Sequence, residues 1–329
     1  MNILLIGGLG NIGSPITHQL AEMGHSVYVL GRKNIEHIQP DVTYISGNTE
    51  NFDLLQALQE KYAIDIVINF AIQTTAQAEV NINAFANKVK QFIFISTVTV
   101  LNREKNVVLT EESECGNPFS TYAQTKLKCE QLFLNAYHSR NFPVTIVRPS
   151  QTYSKDKLPL SVKGKSYWSV IDRILNDKPV IIHGDGTSTW VSMHSNDFCR
   201  GFIPLINYPQ AIGEIYHLTG DEILTWNMIY HELARQLNKD IQIVHIPTDL
   251  LEKSKKYDFK MSIKGDKQYS VIFDNQKIKN ICHDFQCRIS MNNGIHMYLD
   301  YMDKHPELKI NDPEFDQWCD DVIRQGVIL

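Results

Sequence analysis

The stretch Met1 to Gly13, MNILLIGGLGNIG, decides the fold. Ile3, Leu4, Leu5 and Ile6 form a continuous apolar run of strand length with two β-branched members, which suits a strand buried on both faces. Gly7, Gly8, Gly10 and Gly13 follow at once, and Ser14 to Met23 has the pattern of an amphipathic helix. A strand, a glycine-rich turn and a helix in this order form a phosphate cradle. Backbone without side chains lets a pyrophosphate come close, and the helix start offers free N–H groups with a partial positive charge. Spaced glycines alone also mark plain turns; the flanking strand and helix are what make this pattern a dinucleotide-binding one. Gly7, Gly10, Asn11, Ile12 and Gly13 are therefore candidate cofactor contacts.

Downstream the chain alternates. His25 to Leu30, Asp41 to Ser46, Asp65 to Phe70, Phe92 to Ser96 and Val144 to Val147 read as strands, and Asn51 to Tyr62 as a helix between the third and fourth. Such alternation implies right-handed βαβ units and a doubly wound, Rossmann-type parallel sheet in an α/β protein. The second strand ends in Gly31-Arg32-Lys33, where such folds meet the adenosine ribose. An acid there binds a 2′-hydroxyl; two cations favour a 2′-phosphate, so NADP is expected over NAD, with Arg32 as its contact. Asn48, in the turn after the third strand, is a further candidate cofactor residue.

Asn117-Pro118 opens a helix on which Tyr122, Lys126 and Glu130 share one face by their spacing of four. Beyond Arg148-Pro149 the alternation fades. Ser166 to Asn176, Thr225 to Leu237 and Asn292 to Asp303 read as helices, and Val180 to His183 and Asp240 to Ile246 as strands. With no linker between the halves, the expected division is a dinucleotide-binding domain over 1–152, joined by parts of 180–220, and a smaller mixed α/β substrate-binding cap over 153–329.

Composition narrows the classes. The 329 residues are 43% hydrophobic and 21% charged, ordinary for a folded globular chain. A net charge of −5 without a Lys/Arg-rich run argues against nucleic acid as a partner. No apolar stretch has the length of a membrane span, and the six cysteines are scattered without metal-ligand spacing. With a strand beginning directly after Met1, the expectation is a cytoplasmic protein with reduced thiols, no signal peptide and no bound metal.

Taken together, these motifs resemble the extended short-chain dehydrogenase/reductases, the NAD-dependent epimerase/dehydratase group. The resemblance runs through Gly7-x-x-Gly10-x-x-Gly13, Asp65-Ile-Val-Ile-Asn-Phe-Ala71, Phe94-Ile-Ser-Thr97, Tyr122-Ala-Gln-Thr-Lys126, Val147-Arg-Pro149, Gly184-Asp-Gly186 and Asn196-Asp197. It implies Tyr122 as catalytic acid/base, Lys126 as its partner and holder of the nicotinamide ribose, and Thr97 as the hydroxyl that orients the substrate. It also implies that Phe70, Ala71, Ile72, Pro149 and Ser150 line the cofactor, and that the protein is a homodimer. A free phenol titrates near 10, too high for a base at neutral pH; an adjacent ammonium and an oxidised nicotinamide are expected to lower it. The implied activity is hydride transfer at a hydroxyl or keto carbon of a sugar-like or other small polar metabolite, by a reductase or an epimerase. The contrasting reading is a non-catalytic dinucleotide sensor or RNA-binding member of the same fold.

Two departures from the family pattern stand out. Sugar 4,6-dehydratases of the group carry Asp-Glu directly after the catalytic Thr; here Val98 and Thr99 stand there, which disfavours dehydration. Nucleotide-sugar members usually place a diphosphate-clamping Arg after Gly184-Asp-Gly186, and Trp190 takes that position here. Gln73, Thr99, Trp190 and His194 are the candidate substrate contacts, although a lone His is more often structural. The tail Gly265-Asp-Lys267 with Phe273-Asp-Asn-Gln-Lys277 is similar to a sparsely characterised branch of the family.

Overall fold

The computed structural model describes residues 1–32, 39, 41–283 and 285–325. Lys33, the second expected 2′-phosphate contact, lies outside the described residues. The first half winds β1 (Asn2–Ile6), α1 (Gly13–Glu22), β2 (Ser26–Gly31), β3 (Val42–Ser46), α2 (Phe52–Tyr62), β4 (Ile66–Asn69), α3 (Thr75–Phe85) and β5 (Gln91–Ile95). It continues through the short β6 (Val108–Leu109), the long α4 (Thr121–Arg140), β7 (Val144–Pro149) and β8 (Gln151–Tyr153). Then come α5 (Trp168–Leu175), β9 (Val180–His183), β10 (Thr189–His194), α6 (Ser195–Phe202), β11 (Ile215–Leu218), β12 (Ile223–Thr225) and α7 (Trp226–Gln236). The chain ends with β13 (Ile243–Ile246), α8 (Thr248–Leu251), β14 (Ile272–Phe273), α9 (Gln276–Lys279), α10 (Met291–Lys304) and α11 (Pro313–Gln325).

Seven strands form one parallel sheet in the order β11-β7-β5-β4-β1-β2-β3. Strand order reverses at β1, so the crevice beyond its carboxyl end is the topological switch point at which such sheets bind ligands. The apolar run explains why β1 sits centrally. Ile3 and Leu5 pack into one cluster with Ile16 and Leu20 of α1 and Phe198 and Phe202 of α6. Leu4 and Ile6 face the opposite side, with Phe92, Phe94 and Phe133. Period-two alternation thus feeds two cores at once. All four apolar residues are fully buried, which contributes about 1.5–3 kcal/mol for each side chain.

Helix ends follow local chemistry. Asn51 caps α2 by accepting from the Leu54 N–H, and Ser120 caps α4 by accepting from the Ala123 N–H. Because that cap falls at Ser120, α4 starts three residues later than the Asn117-Pro118 signal; Asn117 instead donates to the Thr99 and Gly265 carbonyls. Thr74 and Gln77 form a capping box that starts α3, a helix absent from the sequence reading.

A third cluster, centred on Trp226, Trp190, Tyr230 and Phe259, underlies the second half. There β10 pairs with β8 in parallel and β12 antiparallel, while β9 pairs with β13 and β6 with β14. Lys260 to Lys267 forms a π-helical stretch, a wide winding that often accompanies functional sites. Among the described residues no helix is long and apolar enough to cross a membrane, and no group of His, Cys, Asp and Glu is placed to hold a metal.

Candidate active site

A cleft of about 460 Å³ opens beyond the carboxyl ends of β1, β4, β5 and β7. Its floor collects Gly7, Gly10, Asn11, Ile12, Phe70, Gln73, Thr97, Thr99, Tyr122, Lys126, Pro149 and Ser150, residues that the sequence singled out from five separate segments. Gly7 holds φ +76, a left-handed conformation open to glycine, at the turn out of β1. Gly13 is buried rather than lining: a Cβ there would meet the Gly8 backbone at 2.7–2.8 Å, so only glycine lets α1 seat against the turn. No side chain caps the start of α1 and no acid sits in its first turn. Asn11 pins the turn to β8, donating to the Thr152 carbonyl at 3.1 Å and to its hydroxyl at 3.0 Å.

Whether this cradle suits a dinucleotide can be tested on its own atoms. Asn11 Oδ1, Ser96 Oγ and Ser150 Oγ line the cleft, are buried and lack a partner. Groups buried without a partner are costly unless a ligand satisfies them. With side-chain-free backbone at Gly7 and Gly10, they fit a polar, phosphate-bearing cofactor.

The α4 face is built as its spacing implied. Lys126 and Glu130 are each 2% exposed, and Tyr122 stands at the cleft mouth. Lys126 Nζ donates to the Ile72 and Ile95 carbonyls, both at 2.8 Å, and retains one of its three hydrogens. Burial lowers the Lys126 ammonium to about 8. For the Tyr122 phenol, burial, then the Asp266 carboxylate, push it up to about 12. The Lys126 ammonium, 4.8 Å from the Phe94 ring centre and 5.9 Å from that of Tyr122, is committed to carbonyls and leaves the phenol unassisted. Thr97 donates its hydroxyl to Thr99 Oγ1 at 3.0 Å. One turn deeper, Glu130 takes Arg148 in a bidentate pair at 2.9 and 2.7 Å, pinning α4 to β7.

Other expected residues fall elsewhere. Ile72 acts through the carbonyl that holds Lys126, and Ala71 packs its Cβ against the Gly7 turn. Arg32 is exposed at the end of β2, and Asn48 is exposed with its Oδ1 accepting from the Glu50 N–H; neither lines the cleft. His194 lies outside this cleft. Its Nδ1 accepts from the Asn196 N–H to cap α6, and it borders a separate groove of about 800 Å³ between α1 and α6. Burial holds that imidazole down to about 4.

Trp190 does line the cleft; its Nε1 donates to Gln151 Oε1 at 2.6 Å and its ring packs on Trp226. The wall around it holds Arg103, Asp266 and Phe273, residues with no role in the sequence reading. The tail Gly265-Asp-Lys267 carried a signal for Asp266; for Arg103, in an irregular loop, there was none.

A parallel sheet with this strand order and a glycine cradle at its switch point define a Rossmann-type dinucleotide-binding protein. Comparison with known proteins narrows the class. The profile of the NAD dependent epimerase/dehydratase family matches residues 3–218, and the chain belongs to that family of enzymes. It is 23% identical over 254 residues to 2′-dehydrokanamycin reductase of Streptomyces kanamyceticus, covering 76% of this chain and 70% of that one. An uncharacterized UDP-glucose epimerase of Bacillus subtilis (strain 168) is 25% identical over 254 residues, 68% of this chain and 78% of its own length. Among solved structures, dTDP-glucose 4,6-dehydratase of Bacillus anthracis in complex with NAD aligns with a TM-score of 0.76 at 19% identity, over 93% of this chain and 98% of that one.

Proposed function

We propose that this protein is an NAD(P)-dependent oxidoreductase that moves hydride to or from a hydroxyl or keto carbon of a sugar-like metabolite, with Tyr122 as acid/base. The observation that carries the reading is the convergence of Thr97, Tyr122 and Lys126 with the Gly7–Ile12 turn on one cleft. Bound nicotinamide would supply or accept the hydride. Tyr122 exchanges the proton at the substrate oxygen, and Thr97 helps to orient that oxygen. Lys126, fixed by two carbonyls, would hold the cofactor ribose with its remaining hydrogen.

At neutral pH Tyr122 is a proton donor, as reduction of a carbonyl requires. Oxidation would need the positive charge of an oxidised nicotinamide beside the phenol to favour phenolate. Reductase or epimerase chemistry is favoured over 4,6-dehydration, because Val98 and Thr99 supply no second acid and base. Relatives acting by their names on UDP-glucose or dehydrokanamycin support a sugar-like substrate. NADP is preferred on Arg32, and a homodimer is proposed across the α3 and α4 faces.

The deciding experiment is absorbance of purified protein at the reduced-nicotinamide band, followed by titration with NADPH and NADH. Cofactor that co-purifies without exchange marks an epimerase; an empty site that prefers NADPH marks a reductase. Binding of neither sinks the enzyme reading in favour of a non-catalytic member of the fold.

A further inference from the structure

Arg103 has a side chain 2% exposed, yet it hydrogen-bonds incompletely. Its Nη2 forms an ion pair with Asp266 Oδ1 at 2.6 Å, while Nε and Nη1 are buried with no acceptor among the described residues, in a side chain that lines the cleft. A guanidinium carries five N–H donors in a rigid plane, so three of them await an acceptor. The plane is held by rings, with its centre 5.5 Å from Trp190 and 5.8 Å from Phe273. Asp266 is delivered by the π-helical stretch, which Asn117 ties to the cleft through the Gly265 carbonyl at 2.6 Å. The site is thus assembled from the Arg103 loop, Trp190 and the 266–273 stretch, all of which line the cleft.

We propose that Arg103, positioned by Asp266, Trp190 and Phe273, forms a subsite for a compact oxyanion, a carboxylate or phosphate ester carried by the substrate. This deepens the oxidoreductase reading and rests on it. Charge selects an anion over a neutral hydroxyl. Arg103 and the buried Lys267 both act on the single carboxylate of Asp266, and Lys267 spends its hydrogens on the neutral Leu160 and Ser161 carbonyls. Glu130 is already neutralised by Arg148. Planar paired donors match carboxylate and phosphate oxygens. Size selects a compact group, because the same 460 Å³ must also serve the cofactor-facing residues Gly7, Gly10, Asn11 and Ile12. The cation that Trp190 displaces from the expected clamp position is in effect supplied to the same wall from the Arg103 loop.

Calorimetric titration of the full chain, alone and saturated with NADPH, with D-glucuronate, D-glucose 6-phosphate and D-glucose tests this. At least one anionic sugar should bind at least tenfold more tightly than glucose. Preference for glucuronate identifies a carboxylate, and preference for the phosphate a phosphate ester. Arg103→Met should remove the advantage and Arg103→Lys retain part of it, with NADPH affinity unchanged within about twofold. Should Arg103→Met not fold, the Lys variant decides by a smaller advantage. Anionic sugars binding no better than glucose, or an advantage that survives both substitutions, overturns the subsite. Failure of the wild type to bind any nicotinamide nucleotide would overturn the oxidoreductase reading instead, while the titrations without nucleotide still decide the subsite.

Discussion

The floor and the wall of the cleft treat their polar groups differently. Among the proposed catalytic side chains of the floor, Lys126 has two carbonyl partners and Thr97 has Thr99, with Glu130 held by Arg148 behind them. The floor's open groups, Asn11 Oδ1, Ser96 Oγ and Ser150 Oγ, belong to the cofactor cradle. On the wall, Arg103 keeps donors that no described residue satisfies. A group held by its own protein is preorganised, and acts with little reorganisation when charge shifts in the reaction. A group left short of partners is completed only by a ligand, and discriminates among ligands by the cost of leaving it unpaired. The floor thus suits an invariant proton and hydride transfer, and the wall suits a choice of substrate.

If that division holds, floor substitutions should damage turnover or folding rather than selectivity. Tyr122→Phe removes the exchangeable proton while keeping the ring, so turnover should fall about 10²–10⁴-fold with NADPH affinity retained. Steady-state kinetics beside a nucleotide titration checks it; unchanged turnover would take Tyr122 out of the chemistry. Glu130→Ala leaves the Arg148 charge buried and unpaired, and should cost about 3–5 kcal/mol in urea unfolding. A loss under 1 kcal/mol would mean that water reaches Arg148. Gly13→Ala forces a methyl against the Gly8 backbone and should cost about 1–3 kcal/mol, together with weaker nucleotide binding.

Three buried histidines, one in the cap and two at the central sheet and α6, carry their own signature in acid. Burial lowers His183 and His194 to about 4 and His217 to about 3. An unfolded chain takes up these protons near 6.5 while the folded protein does not. Between those values the unfolded state binds more protons, so stability is full above about pH 6.5 and is lost as pH falls toward 4. His217, edge-on to Phe273 of the wall, is the sharpest probe. Melting temperatures of His217→Leu should fall less steeply between pH 6.5 and 4.5 than those of the wild type. Parallel curves would show that His217 titrates normally.

The same contrast explains what could be read in advance. The glycine turn, the sheet and the Tyr122–Lys126–Glu130 face are local patterns, in which spacing along the chain equals proximity in space. Even there, tertiary surroundings act on the phenol: burial first, then Asp266, 144 residues from Tyr122 in sequence, raise it, and no local rule reports that. The wall is legible only in part. Trp190 was visible as a departure from a motif, but Arg103 sits in an irregular loop, and its partners Asp266 and Phe273 arrive from a π-helical stretch and a two-residue strand. His194 misleads for the opposite reason: its motif position is real, but the imidazole is used as a helix cap. The seventh strand, Ile215–Leu218, escaped notice because it returns to the sheet from within the second half and contributes only four residues.

The smallest expected effect tests the outer end of the cradle, where neither description applies. Arg32 is exposed and outside the cleft, so it is neither preorganised by partners nor buried without them. A charge-assisted bond to a 2′-phosphate made in solvent is screened, and Arg32→Ala should weaken NADPH by only about tenfold while leaving NADH unchanged. The weakening should shrink as salt rises, because exposed charge pairs are screened over about 10 Å at 0.1 M. Titration of both nucleotides at two ionic strengths measures this directly. Equal weakening of NADPH and NADH would assign Arg32 to the shape of the β2 turn, and no change in either would remove the sequence basis for preferring NADP.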